Sequence, residues 1–142
     1  MQRIEKIEMV PNPVVKFIAF DGKEFLKEDE CRNYEFAIKL KRVEEQVETA
    51  VKLDDHAPFN GGENYESHSY RWYKPKSIEE LELLRDAYGD KFNDSDIGQW
   101  VCVETCDHDE CWVVPVSDCI AYVNAVLGPM GYEMTIKAKE AA

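Results

Sequence analysis

The sequence predicts an α+β fold, with a largely antiparallel sheet and about three helices packed on one face, in a single domain spanning residues 1–142. Three observations predict it. The elements read in the order β-β-α-β-α-β-β-α-β, and runs of this kind favour helices grouped beside an antiparallel sheet over strict β-α alternation. Two apolar runs, residues 99–104 and 111–116, flank the polar stretch TCDHDE and read as a hairpin. One helix is bounded at both ends, by Ser77 with Glu80 as a capping box and by Gly89 as a stop.

The elements follow in order. Residues 2–10 alternate loosely and open the fold as a strand before Pro11 and Pro13. Residues 14–20 (VVKFIAF) are apolar on both faces and predict a central strand. The pair Asp21-Gly22 is a turn. A long helix is expected from about 27 to about 53, because Ala37, Leu40, Val43, Val47 and Val51 recur at three- and four-residue steps. Residues 54–67 form a loop marked by Pro58 and Gly61-Gly62. The aromatic run 69–73 (SYRWY) is a strand ended by Pro75. Ile78, Leu81, Leu84 and Tyr88 line the buried side of the short helix behind Ser77. After the hairpin, Ser117 caps a third helix that Gly128 ends, and residues 132–137 (YEMTIK) complete the fold as a last strand.

Composition narrows the function. The 142 residues suit one core, and 44% apolar content argues against disorder. With 17 Lys and Arg against 29 Asp and Glu, the net charge is −12. Such a surface repels phosphate backbones, so direct nucleic-acid binding is disfavoured. A basic protein surface, or a small anionic ligand in a locally positive pocket, remains as a partner. The N-terminal residues lack the apolar core of a secretion signal, and no apolar run is long enough to span a membrane. Five cysteines in such a chain suggest reduced thiols in a cytoplasm.

No hydrolase, metalloprotease or nucleotide-triphosphate motif is present, no cofactor is implied, and the expectation is a protein that is not an enzyme. Residues 90–98 have the carboxylate density of a calcium loop but not its spacing. Cys102, Cys106, His108 and Cys111 have the right chemistry for zinc and make the hairpin a weak metal candidate. Acidic neighbours speak against a thiol nucleophile there. The remaining signal is aromatic and cationic. Along 69–73, alternation puts Arg71 and Tyr73 on one sheet face and Tyr70 and Trp72 on the other. If one face is core, the other is an exposed strip able to stack bases and grip phosphates, extended by Trp100 and Trp112. The competing reading fills the core with the aromatics and pairs Arg71 with a carboxylate. Arg32 is one of few cations in its acidic stretch, where it either meets a ligand or pairs along the helix.

The segment KFIAFDGKEFLKEDECRNYE (16–35) resembles the opening of many small phage-encoded proteins: a strand, an Asp-Gly turn, a Phe, then an acidic helix with Cys and Tyr-Glu. YKPKSIEELELL (73–84) and QWVCVE with VVPVS (99–117) have the same character. Together they make the chain similar to phage counter-defence proteins, and among them to the Thoeris anti-defence "sponge" family. That resemblance implies a non-enzymatic oligomer in the host cytoplasm that sequesters cyclic ADP-ribose-type signals made by bacterial TIR proteins. Chemistry nominates Arg32 and Arg71 for the phosphates and Tyr73 or Trp100 for the base. Two alternatives stand beside this. One is an acidic DNA mimic that blocks a CRISPR effector or another nuclease with the helices around 27–35 and 79–86. The other is a zinc-binding protein using the 102–111 hairpin.

Overall fold

The structure, a computed structural model, describes residues 1–6, 14–60, 68–106 and 110–139. The α+β class holds: among the described residues three α-helices accompany two antiparallel sheets, of three and four strands. Where the sequence suggests one domain, the chain divides into two compact units, Met1–Glu45 and Gln46–Ala142. Among the described residues no helix is long and apolar enough to cross a membrane.

The first unit is a three-stranded sheet followed by a helix. Strands β1 (Gln2–Lys6), β2 (Val14–Ile18) and β3 (Glu24–Phe25) run in the order β1-β2-β3, so the apolar run occupies the middle as expected. The Asp21-Gly22 turn links β2 to β3. Gly22 takes φ +93°, a conformation that favours glycine, and Asp21 Oδ1 accepts from the Lys23 N–H at 3.1 Å. Tyr34 of α1 (Glu28–Gln46) ties the turn to the helix by donating its hydroxyl to Asp21 Oδ2 at 2.5 Å. That bond holds the Asp21 carboxyl below its usual range. Glu28, Asp29 and Glu30 suit the positive end of the helix dipole. The buried stripe is Cys31, Glu35 and Val43, while Ala37 is exposed. Buried Glu35 accepts the Phe20 N–H at 3.1 Å.

The helix is shorter than its apolar spacing predicts, ending at Gln46 rather than near 53. The next residues extend instead: β4 (Glu48–Thr49) pairs with Lys74 and Tyr73, and Val51–Leu53 make one 3-10 turn. Val47 and Thr49 are β-branched, and strand pairing rewards them more than further helix would.

The second unit is built on a four-stranded antiparallel sheet, β4-β5-β6-β7, with β5 Ser69–Lys74, β6 Val101–Thr105 and β7 Cys111–Pro115. Trp72 lies opposite Cys102, which lies opposite Val114. These three, with Tyr70, pack against Cys119 of α3 (Val116–Leu127). Tyr73, Val101 and Val103 are buried on the other face. There Tyr73 meets Tyr88 of α2 (Ile78–Tyr88), hydroxyl to hydroxyl at 2.6 Å. The two helices of this unit therefore contact opposite faces, which corrects the expectation of helices on one face. The cause is a central sheet that is apolar on both sides.

Helix α2 has the ends its sequence specifies. Ser77 Oγ accepts the Glu80 N–H at 3.2 Å, and Gly89 caps the C-terminus at φ +100°. Leu81 and Leu84 are fully buried, whereas Ile78, expected on the buried side, is 44% exposed at the first turn. Ser77→Ala is expected to cost about 1 kcal/mol, read as a lower urea midpoint at unchanged slope. Helix α3 starts differently from its sequence expectation. It begins at Val116 directly after Pro115, and Ser117 lies inside it. The cap comes from elsewhere in the chain: the Ser117 N–H donates to Gln99 Oε1 at 3.0 Å. Gly128 ends the helix as expected. Residues 132–137 form no strand; Asn124 holds Met134 through two hydrogen bonds instead.

Candidate functional site

The cationic and aromatic residues that the sequence nominates are divided between the two units. Arg32 lies in the first unit and pairs along its own helix with Glu28 at 2.8 Å. The other three lie in the second unit. Arg71 is half-exposed and pairs with Asp54 at 2.5 Å. Tyr73 is 1% exposed, under α2. Trp100 is half-buried against the core cluster, and its carbonyl accepts the Val116 N–H at 2.9 Å. The premise of an exposed strip on β5 is therefore corrected. β5 is an interior strand whose aromatics Tyr70, Trp72 and Tyr73 are all core, while Ser69 and Arg71 stay exposed.

The aromatic–cationic site that does form is on the outer half of the same sheet. Tyr70, Glu104 and Trp112 lie opposite one another across β5, β6 and β7 and share a face. Trp112 is on the edge strand, and this large indole stays 42% exposed. His68, just before β5, lies nearly parallel to it, with ring planes 13° apart and centroids at 5.9 Å. One carboxylate anchors the row: Glu104 Oε1 is 2.5 Å from His68 Nδ1 and accepts from the Tyr70 hydroxyl at 3.3 Å. Lys91 arrives at the β7 edge from the loop after α2. Its ammonium sits 5.7 Å from the centre of the Trp112 ring and donates to the Cys111 carbonyl. His68, Lys91, Glu104 and Trp112, with Asn60, Val113 and Val114, line an open cleft of about 470 Å³.

The chemistry of this cleft is recognition. The indole and imidazole planes offer stacking surface, Lys91 a positive charge, and Asn60 and Glu104 polar groups that can read hydroxyls or amines. Glu104 adds a negative charge, and its contact with His68 and Tyr70 engages it locally. Trp112 carries a sequence signal as a hairpin aromatic expected to extend the strip, but only the strand register aligns it with Tyr70. Lys91 and Asn60 carry none, because they reach the cleft from loops.

Among the described residues the cysteines do not gather into a metal centre. Cys102 faces α3, whereas Cys111 is opposite Thr105 and faces α2, so the sheet separates the two thiols. His108 lies outside the described residues. No group of three metal-ligating side chains occurs among the described residues. This corrects the zinc candidate built on the hairpin. Burial pushes the Cys102 thiol up to about 12 and raises those of Cys111 and Cys119. Thiolate is the reactive form. Cys106 is half-buried and the other four cysteines are buried, so alkylation near pH 8 is expected at Cys106 first; peptide mass spectrometry showing Cys102 modified as fast as Cys106 would contradict the packing described.

No protein-family model matches the chain, and neither a curated protein nor a solved structure matches it.

Proposed function

We propose that the protein is a non-enzymatic binding protein that captures an anionic nucleotide, a signal of the cyclic ADP-ribose type, and holds it without cleaving it. The observation that carries this reading is the exposed Trp112 indole beside a lysine ammonium and a parallel imidazole, at the wall of the cleft. Trp112 is exposed, as Phe59, Tyr122 and Tyr132 are, but it stands at a cleft wall with an ammonium and a parallel imidazole beside it. A nucleobase stacks on such a platform, and Lys91 supplies the local cation that phosphate needs on a molecule of net charge −12. The cleft volume of about 470 Å³ falls within the range of roughly 300–1,000 Å³ common for small-molecule sites.

The choice of cyclic ADP-ribose chemistry rests on the resemblance to phage anti-defence sponges. Capture without turnover fits the thiols, since burial keeps Cys102, Cys111 and Cys119 protonated. The test is capture and release. The protein is incubated with a cyclic ADP-ribose isomer, desalted, heated, and the supernatant analysed by chromatography. Ligand recovered intact in near-stoichiometric amount supports the proposal. Altered ligand, or no retention at micromolar protein, overturns it.

A further inference from the structure

The segment after α3 has the pattern of a strand and belongs to no sheet. In residues 132–137, Tyr132, Met134 and Ile136 alternate with Glu133, Thr135 and Lys137, the period of an amphipathic strand. All six are exposed, Tyr132 at 67% and Ile136 at 63%. The Tyr132 N–H donates to the Leu127 carbonyl at 3.1 Å, and Asn124 of α3 grips the segment at Met134. Its Nδ2 donates to the Met134 carbonyl at 2.9 Å, and its Oδ1 accepts the Met134 N–H at 2.7 Å. Both backbone groups of Met134 thus point at the helix. Along a strand, neighbouring residues direct their N–H and C=O groups to opposite edges. Taken up as a strand, the segment turns those of Glu133, Thr135 and Lys137 away from α3. Among the described residues nothing takes up these outward groups.

The charge pattern says what fits there. Residues 119–132 contain no Asp, Glu, Lys or Arg, although the chain as a whole carries a net charge of −12. Two copies of this molecule meet least repulsion along such a stretch. The segment is also complementary to itself. Paired antiparallel with an identical copy about Thr135, it sets Glu133 opposite Lys137 of the second copy, and Lys137 opposite Glu133 of the second copy. Met134 then faces Ile136. In this register the hydrogen-bonded positions are Glu133, Thr135 and Lys137, the three whose backbone groups face outward. We propose that residues 132–137 form a two-fold interface between copies of this chain by antiparallel strand pairing about Thr135. The pairing is isologous, so one segment supplies both halves. It uses a surface separate from the cleft and stands or falls independently of the ligand.

Charge exchange tests it, with the full chain in sedimentation equilibrium. The wild type is expected to dimerise below about 100 µM. Glu133→Lys sets lysine against lysine twice and is expected to weaken the dimer about tenfold or more. That variant also brings the net charge from −12 to −10 per copy, which would strengthen a non-specific association. Lys137→Glu is expected to weaken the dimer similarly, and the double exchange Glu133→Lys with Lys137→Glu to restore it. The positions are exposed, so an unchanged melting temperature separates lost pairing from lost folding. A monomeric wild type, or a dimer indifferent to either single substitution, overturns the proposal.

Discussion

Trp72→Ala is expected to destabilise the second unit by about 3–5 kcal/mol, the usual cost of removing a large buried aromatic. Trp72 is 9% exposed and sits in the cluster formed by Tyr70, Cys102, Val114 and Cys119, where sheet meets α3. Its indole N–H also donates to the His56 carbonyl at 2.8 Å, so the substitution leaves that carbonyl without its partner as well as opening a cavity. A loss this large is a sizeable share of the stability of an ordinary domain, about 5–15 kcal/mol. Urea denaturation followed by circular dichroism reads it directly. A midpoint close to that of the wild type would mean that the core lies elsewhere.

Trp112→Ala is expected to do the reverse, leaving the fold nearly intact and removing the ligand. The indole is 42% exposed on an edge strand, so little apolar burial is lost with it. Stacking of a base on an aromatic side chain contributes about 1–3 kcal/mol by alanine substitution, which is roughly 5- to 150-fold in affinity. Calorimetric titration with a cyclic ADP-ribose isomer measures it. Retained affinity in a folded Trp112→Ala variant would remove the cleft from the account. The contrast between two tryptophans of one sheet face is the useful feature, because the interior one holds the fold and the edge one is free for recognition.

The parts of this fold that are legible in the sequence are those whose signals are local. Ser77, Glu80 and Gly89 bound α2 within one or two residues because caps act through neighbouring backbone groups. The hairpin is legible because two apolar runs flank a polar stretch. What the sequence misplaces is decided by partners far along the chain. Val47 and Val51 continue the spacing of α1, yet β4 forms because Lys74 and Tyr73 offer Glu48 and Thr49 a strand to join. Alternation in 132–137 is real, but a strand needs a neighbour, and the described residues supply none within the chain.

The same distinction governs the site. Alternation assigns Arg71 and Tyr73 correctly to one face of β5, but it says nothing of α2 closing over Tyr73 while Arg71 reaches Asp54. Tyr70, Glu104 and Trp112 form a row only once register is known. Lys91 and Asn60 join them through loops whose course no periodicity describes. The cysteines show the same thing in reverse: close spacing suggests a cluster, and strand pleating separates Cys102 from Cys111.

The three tryptophans allow one measurement to address recognition at the cleft, because each has a distinct indole N–H. In a titration of ¹⁵N-labelled protein with a cyclic ADP-ribose isomer, the Trp112 indole resonance is expected to shift most. The Trp72 resonance, fixed on the His56 carbonyl, should stay in place. A Trp112 signal that does not move at saturating ligand, or movement confined to Trp72 and Trp100, would contradict the account.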